Sequence, residues 1–212
     1  SGMLVTCGLD HVGVPAGGHP LHGRLPYTPA RVTSYGEDWD RARPVLYCCG
    51  EVDQVRHLGE VLRLTRRIEA EIGGGVLRIV DRVTNLGAHP QAHHLLYHIN
   101  IGFPALDAAS EVSLNGRRLL PPFGPPDADA DRSTVAFPLA GERKALCALS
   151  LPALGARLEV AFDPAALPVL QIWRDPRPRH RVLAIEPRTS ARAADGGNGD
   201  PFVLAPGAHR EY

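Results

Sequence analysis

Two histidines and an asparagine share one face of a predicted strand in the middle of the chain. Residues 94–102 read HLLYHINIG, and successive side chains of a strand point to opposite faces, so His94, His98 and Asn100 lie together. The opposite face takes the apolar residues Leu95, Tyr97, Ile99 and Ile101. Two imidazoles and a carboxamide supply titratable and hydrogen-bonding groups at fixed spacing. This face is therefore a candidate site, and histidines that serve only the surface or the core are the alternative.

A carboxylate and a further histidine extend this candidate set. In the predicted strand 182–186, Leu183 and Ile185 point one way and Glu186 points the other. His22 begins the sequence His-Gly-Arg. Near neutral pH a glutamate can accept a proton while a histidine donates one.

Such a pair has the equipment to interconvert the anomers of a sugar. The base removes the proton of the anomeric hydroxyl while the acid protonates the ring oxygen. The ring opens, the C1 to C2 bond rotates, and closure gives the other anomer. This chemistry needs no metal and no redox cofactor.

Composition favours one globular domain over residues 1–212. The chain has 212 residues, 44% of them hydrophobic, which suffices for a sizeable core. Its 23 basic and 23 acidic side chains balance, so no net field directs it to nucleic acid or to an anionic membrane. No segment resembles a signal peptide or a run of about 18 apolar residues. We predict a cytoplasmic protein that binds a small molecule, with neither nucleic acid nor membrane as partner.

Four cysteines offer no recognisable bridge or metal site. Cys7, Cys48, Cys49 and Cys147 contain no CxxC spacing, and the adjacent pair is poorly placed for a disulfide or a tetrahedral metal. We expect four reduced, buried thiols.

The dominant hydrophobic period is two, which predicts strands. Apolar and polar residues alternate over residues 61–72, and the glycines of 73–75 permit a reversal into residues 76–83. A helix over residues 51–66 is the competing interpretation, since several apolar residues there also fit a helical stripe.

Further strands are predicted along the second half of the chain. Asn115-Gly116 is typical of a two-residue hairpin turn inside residues 112–120. Short strands are also predicted over residues 158–162, 169–173 and 182–186. Many short strands separated by turn signals indicate an all-β sandwich or barrel.

Five motifs, taken in order along the chain, resemble the aldose 1-epimerase, or galactose mutarotase-like, superfamily. They are TCGLDHVG (6–13), HGRLPYTPA (22–30), DRVTN (81–85), LYHINIGFP (96–104) and IEPRT (185–189). The likeness is greatest to the uncharacterised aldose-epimerase-like branch. It implies a large twisted antiparallel β-sandwich with a sugar site on a concave sheet face. It also implies a cofactor-independent isomerase of carbohydrate metabolism, a mutarotase that holds no metal.

The resemblance also assigns roles to single residues. Glu186 matches the general base, His98 the histidine acid, and His22 the substrate-binding histidine of a His-Gly motif. Aldose epimerases carry the pattern His-x-Tyr-Phe-Asn, and aligning its asparagine with Asn100 places Leu96 at the catalytic histidine. His98 shares the face of Leu96 and is the expected substitute. His94, on the same face, is the second candidate acid.

Four further residues are expected to contact the sugar. Arg24 stands where aldose epimerases often have a second glycine, and its guanidinium suits a carboxylate, sulfonate or phosphate, with a surface ion pair as the alternative. A sugar acid is thus a candidate ligand beside a neutral sugar. Trp173 could stack on a pyranose. Asp81 and Asn100 are expected to hydrogen-bond the substrate.

Family domains are longer than this chain. We therefore expect flanking strands to be missing at one or both ends, and exposed sheet edges to favour a homo-oligomer.

Two other functions remain open. One is a non-catalytic carbohydrate-binding domain of the same fold. The other is a metal-dependent β-barrel isomerase built on four histidines, His89, His93, His94 and His98. We rank it last because neighbouring residues 93 and 94 of one strand point to opposite faces.

Overall fold

The computed structural model describes residues 2–193 and 197–212, and these residues fold almost wholly into antiparallel strands. Fifteen strands are present in the described ranges: β1 (Leu4–Leu9), β2 (Arg31–Asp38), β3 (Val45–Val55), β4 (Val61–Glu71), β5 (Leu77–Asn85), β6 (Gln91–Ile101), β7 (Glu111–Leu114), β8 (Arg117–Arg118), β9 (Ser133–Pro138), β10 (Ala145–Leu151), β11 (Ala156–Phe162), β12 (Val169–Asp175), β13 (Val182–Arg188), β14 (Phe202–Leu204) and β15 (His209–Glu211). Two short 3₁₀ helices span Leu25–Tyr27 and Pro152–Leu154. The predicted all-β class is confirmed.

None of the helices formed by residues 2–193 and 197–212 has the length and apolar character of a membrane span.

Both hairpins predicted from the sequence are present. Strand β4 pairs antiparallel with β5 across the glycine turn, with Ala70 opposite Leu77. Asn115 and Gly116 join β7 to β8 with φ values of +49° and +82°, the left-handed backbone that this turn requires. The competing helix over residues 51–66 is wrong. Those residues form the end of β3, a tight turn and the start of β4, and Leu58 in the turn is 96% exposed.

The chain forms two compact units. The first comprises Ser1–Cys7 and Leu95–Asp200, and the second comprises Gly8–His94 and Pro201–Tyr212. Strands β1 and β6 contribute residues to both. The sheet that contains β1 and β6 has the strand order β1-β6-β13-β12-β9. A four-stranded sheet of the first unit has the order β11-β10-β7-β8. The second unit holds the sheet β15-β5-β4-β3-β2, and β14 pairs with the beginning of β6.

The first unit is a β-sandwich with one apolar core. Leu183 and Ile185 of β13 are 1% and 0% exposed, and they pack with residues of the other sheet such as Val112 and Leu149. Because side chains alternate along each strand, the opposite face of the β6, β13 and β12 sheet carries His98 and Glu186. The sequence predicted this division of faces.

The second unit has an ion-paired sheet face. Arg63 binds both carboxylate oxygens of Asp53, and Arg67 contacts Glu69 at 2.7 Å. Residues of the other face, Leu62 and Leu64, are buried.

The four cysteines are free thiols, but the prediction that all are buried is wrong. Cys7 and Cys147 are buried, whereas Cys48 is exposed and Cys49 is partly exposed. The adjacent pair lies on β3 beside the edge strand β2, where Tyr35 is 80% exposed. Consecutive strand residues point to opposite faces, and neither face is fully covered at this edge.

Candidate acid and base site

Glu186 and His98 lie side by side on neighbouring strands of the first unit. Strand β13 pairs antiparallel with β6, with Ile185 opposite Ile99. The next residue in each direction is therefore Glu186 on β13 and His98 on β6. Their side chains meet, with His98 Nε2 3.1 Å from Glu186 Oε1. Both are largely withdrawn from water, with side-chain exposures of 13% for His98 and 3% for Glu186.

A buried amide holds the other oxygen of the Glu186 carboxylate. Gln171 of β12 lies directly opposite Glu186 of β13 and is 5% exposed. Its Nε2 donates a hydrogen bond to Glu186 Oε2. Its Oε1 in turn accepts a hydrogen bond of 2.9 Å from Arg188, which is 2% exposed. Arg188 follows Glu186 by two residues and therefore shares its face.

Burial is the largest influence on the pKa of the Glu186 carboxyl. Removal from water raises the pKa of this carboxyl to about 7, while the hydrogen bond from Gln171 and the positive charges of Arg188 and Arg192 act in the lowering direction. The buried Cys7 thiol has a raised pKa for the same reason, reinforced by the negative charge of Glu186. A carboxyl that titrates near neutral pH is suited to accept and return protons.

Trp173 and Asn100 lie on the same sheet as this pair. The Trp173 ring is partly exposed, and its centroid lies 6.0 Å from that of His98 with the two planes tilted by 60°. The Asn100 side-chain nitrogen donates to the carbonyls of Gly2 and His98 at 3.2 Å and 3.4 Å. An aromatic ring and a carboxamide therefore accompany the acid and base pair in this unit.

His22 lies in a tight loop of the second unit. Its φ is +66°, its backbone N–H donates to Gly13, and its carbonyl accepts from Gly8. The next residue, Gly23, has φ of +78°, and a Cβ there would lie 2.2 Å from the His11 carbonyl oxygen. The loop therefore requires the glycine of the His-Gly motif.

The other proposed sugar contacts of the second unit have partners within it. Arg24 binds Asp10 through Nε at 2.6 Å, Glu60 through one terminal nitrogen, and the Val55 carbonyl through the other at 3.2 Å. Arg24 therefore makes the kind of ion pair that was the alternative to binding an acidic group of the sugar.

Asp81 and His94 are likewise enclosed in the second unit. Asp81 is fully buried and binds Arg66 through both of its oxygens, at 2.7 Å and 2.5 Å. His94 is 7% exposed at the start of β6. A role in sugar binding for Arg24, Asp81, His94 and His22 stays a prediction.

Sequence reasoning missed Gln171 and Arg188. Gln171 shares a face with Trp173 because the two residues are separated by one position, and Arg188 shares a face with Glu186 for the same reason. This alternation of side chains could be read from the sequence. The sequence pattern did not show the pairing of β12 with β13, which brings the Gln171 amide against the Glu186 carboxylate.

Metal binding gains no support from the geometry. Among the residues that the structure describes, no group of three or more His, Cys, Asp or Glu side chains is arranged to hold a metal ion.

Comparison with known proteins places the chain in a family. The model of a family described as a domain of unknown function, DUF4432, matches residues 1–212. A comparison with curated proteins finds no match.

Solved structures share the fold. A candidate aldose 1-epimerase from Klebsiella pneumoniae superposes with a TM-score of 0.84 at 24% identity, over 99% of this chain and 60% of that one. A galactose mutarotase-like protein from Clostridium acetobutylicum gives 0.68 at 13% identity, over 98% and 76%. A candidate aldose 1-epimerase from Escherichia coli gives 0.63 at 15% identity, over 94% and 72%. The chain thus spans about three fifths of the Klebsiella protein. It belongs to the DUF4432 family, and its fold is that of the aldose 1-epimerase and galactose mutarotase-like proteins.

Proposed function

We propose that this protein is a mutarotase, an isomerase of the aldose 1-epimerase kind, with Glu186 as base and His98 as acid. The observation that carries the proposal is the 3.1 Å approach of His98 Nε2 to Glu186 Oε1 on one face of the sheet. The raised pKa of Glu186, about 7, supports it because a base works best when its pKa lies near the working pH. The fold, shared with proteins named for this activity, is consistent with it.

The short distance between the two groups suits the reaction. The anomeric oxygen and the ring oxygen of a pyranose are bonded to the same carbon, so an acid and a base that contact each other can reach both oxygens. The reaction starts from ionised Glu186 and protonated His98. Glu186 takes the proton of the anomeric hydroxyl, the C1 to ring-oxygen bond breaks as the carbonyl forms, and His98 protonates the released ring oxygen.

Ring closure restores the starting state. After rotation about the C1 to C2 bond, the hydroxyl attacks the other face of the carbonyl. His98 takes back the proton of that hydroxyl, and Glu186 returns its proton to the anomeric oxygen. Both groups finish as they began, and no cofactor is consumed.

The proposed ligand is a free sugar or sugar acid, bound in the course of cytoplasmic carbohydrate metabolism. Trp173 supports a sugar ligand because its partly exposed ring beside His98 can stack on the apolar face of a pyranose. Asn100 is the proposed hydrogen-bonding partner on the same sheet.

Saturation-transfer NMR tests the proposal. The exchange between α and β anomers is measured over a panel of neutral, uronic, phosphorylated and sulfonated sugars, with wild-type protein, Glu186→Gln and the exposed control Glu159→Gln. We expect accelerated exchange for at least one sugar with wild type and the control, and an exchange rate lower by at least about 10² with Glu186→Gln. Equal exchange with wild type and Glu186→Gln would overturn the proposal.

A non-catalytic carbohydrate-binding domain is the second candidate. Leu96, at the position where the aldose epimerase pattern has its histidine, is buried with 1% exposure and carries no titratable group. Binding of a sugar with no exchange by wild-type protein would favour this candidate.

A further inference from the structure

Four side chains of the first unit form one chain of contacts across three neighbouring strands. Arg188 donates to Gln171, Gln171 donates to Glu186, and Glu186 contacts His98. The first three are almost entirely buried, with exposures of 2%, 5% and 2%. Buried hydrogen bonds of this kind fix side-chain orientation because the low local dielectric strengthens them.

Arg188 determines which way the Gln171 amide faces. A guanidinium has only donors, so the atom of Gln171 that meets it must be the oxygen Oε1. The NH₂ group is then directed to the opposite side, toward Glu186 Oε2. With the amide reversed, its oxygen would face the carboxylate and the hydrogen bond would be lost.

We propose that Arg188 and Gln171 are positioning residues that lock Glu186 with Oε2 occupied and Oε1 presented to His98 and to the sugar. This inference rests on the proposed function of Glu186 as the base, and it assigns the orientation of the Glu186 carboxylate to two residues other than the proposed acid and base. Oε1 is left as the oxygen that accepts the substrate proton.

The burial of Arg188 is costly, which argues against a purely space-filling role. Its Nε is buried and has no hydrogen-bond partner among the described residues. An apolar side chain of similar volume would fill the same space without that cost. The arginine differs from such a side chain in providing the donor that orients Gln171.

The test uses the whole chain and compares Gln171→Met, Arg188→Met and Arg188→Lys, with the exposed Arg157→Met as control. Thermal unfolding first establishes which variants fold. The carboxyl of Glu186 is then titrated by ¹³C NMR without sugar, its signal identified by its absence in Glu186→Gln. In parallel, the pH dependence of anomer exchange is recorded.

A donor to a carboxylate favours the charged form, so its loss raises the pKa. We expect Gln171→Met and Arg188→Met to move the Glu186 midpoint and the acid limb of the exchange profile upward by about one to two pH units. Arg188→Lys, which keeps a donor and a charge, should recover part of the shift. Arg188→Met introduced into the Gln171→Met variant should raise the Glu186 midpoint by less than Arg188→Met does in the wild-type protein.

Unchanged midpoints in folded Gln171→Met would overturn the inference, as would an Arg188→Met shift that is undiminished in the Gln171→Met background. Because methionine has a volume similar to that of glutamine, Gln171→Met keeps the test available where Arg188→Met does not fold. The carboxyl titration needs no turnover. Absence of exchange in wild type would therefore count against the proposed function alone.

Discussion

His98 Nε2 lies 3.1 Å from Glu186 Oε1, although the two residues come from strands far apart in sequence. Their strands are immediate neighbours, so the contact is set by sheet register and not by a flexible loop. A site built on paired strands holds its groups more precisely than one built on loops.

Ionisation of Glu186 is expected to reduce stability as the pH rises. Its pKa is raised in the folded state to about 7 from 4.5, so the unfolded chain loses this proton first and the folded state loses stability between those pH values. Glu186→Gln removes the effect. As the pH rises from 4 to 8, the free energy of unfolding of this variant, measured by urea denaturation, should increase by up to about 3 kcal/mol relative to that of wild type. An equal gain in the exposed control Glu159→Gln would contradict this account.

Acid is expected to destabilise the second unit through His93. This side chain is fully buried, it contacts the Tyr212 hydroxyl, and burial lowers its pKa to about 4 from 6.5. The unfolded chain therefore binds the proton first, and stability is lost as the pH falls from about 6.5 to 4. His93→Gln should lose less stability over that window than wild type, by up to about 3 kcal/mol in urea denaturation. The exposed His57→Gln should behave like wild type, and if His93→Gln does so as well, the explanation fails.

The thiols should separate into two reactivity classes. Cys48 is exposed, and Cys49 is partly exposed with a pKa lowered by hydrogen bonds from Ser34 and Arg67. Cys7 and Cys147 are 0% exposed, and burial raises the pKa of both. Iodoacetamide labelling at neutral pH, read by mass spectrometry, should modify the first pair in the folded protein and the second pair only in denaturant. Labelling of all four at one rate would be incompatible with this arrangement.

The sandwich core should respond strongly to truncation. Ile172 is 0% exposed within the apolar cluster of the first unit. Ile172→Ala should lower the free energy of unfolding by about 2–5 kcal/mol, because it removes buried methylene groups and leaves a cavity. Leu154→Ala, at a side chain that is 54% exposed, should cost less than about 0.5 kcal/mol. Similar losses in both variants would show that the core has been misidentified.

Local hydrophobic patterns predicted the strands and the face of each strand on which a side chain lies. The contacts between side chains of different strands depend on how the strands pair in the folded protein. Alternation placed His98 and Glu186 on polar faces because a strand has a fixed period of two. The helix over residues 51–66 failed because the apolar pattern there fits two periods, and the turn at Leu58 is set by the pairing of β3 with β4. The motifs sufficed to predict the β-sandwich fold, which the solved structures share.

Partners of charged side chains were not predictable in the same way. Arg24 meets Asp10 and Glu60, and Arg188 meets Gln171, through contacts between separate elements. Apart from the two hairpins with recognisable turns, no local pattern in the sequence encodes which strands become neighbours. The sequence therefore predicted the candidate acid and base but not the residues that hold them.

The most direct test of the central claim is a double-mutant cycle on Glu186 and His98, read by saturation-transfer NMR of anomer exchange. General acid and base groups each contribute about 10² to 10⁴ in rate, and groups that act as one unit are not additive. We predict that Glu186→Gln and His98→Asn each reduce exchange by at least about 10², and that the double variant is no slower than the slower single one. Wild-type exchange rates in Glu186→Gln, or losses that multiply in the double variant, would contradict the account.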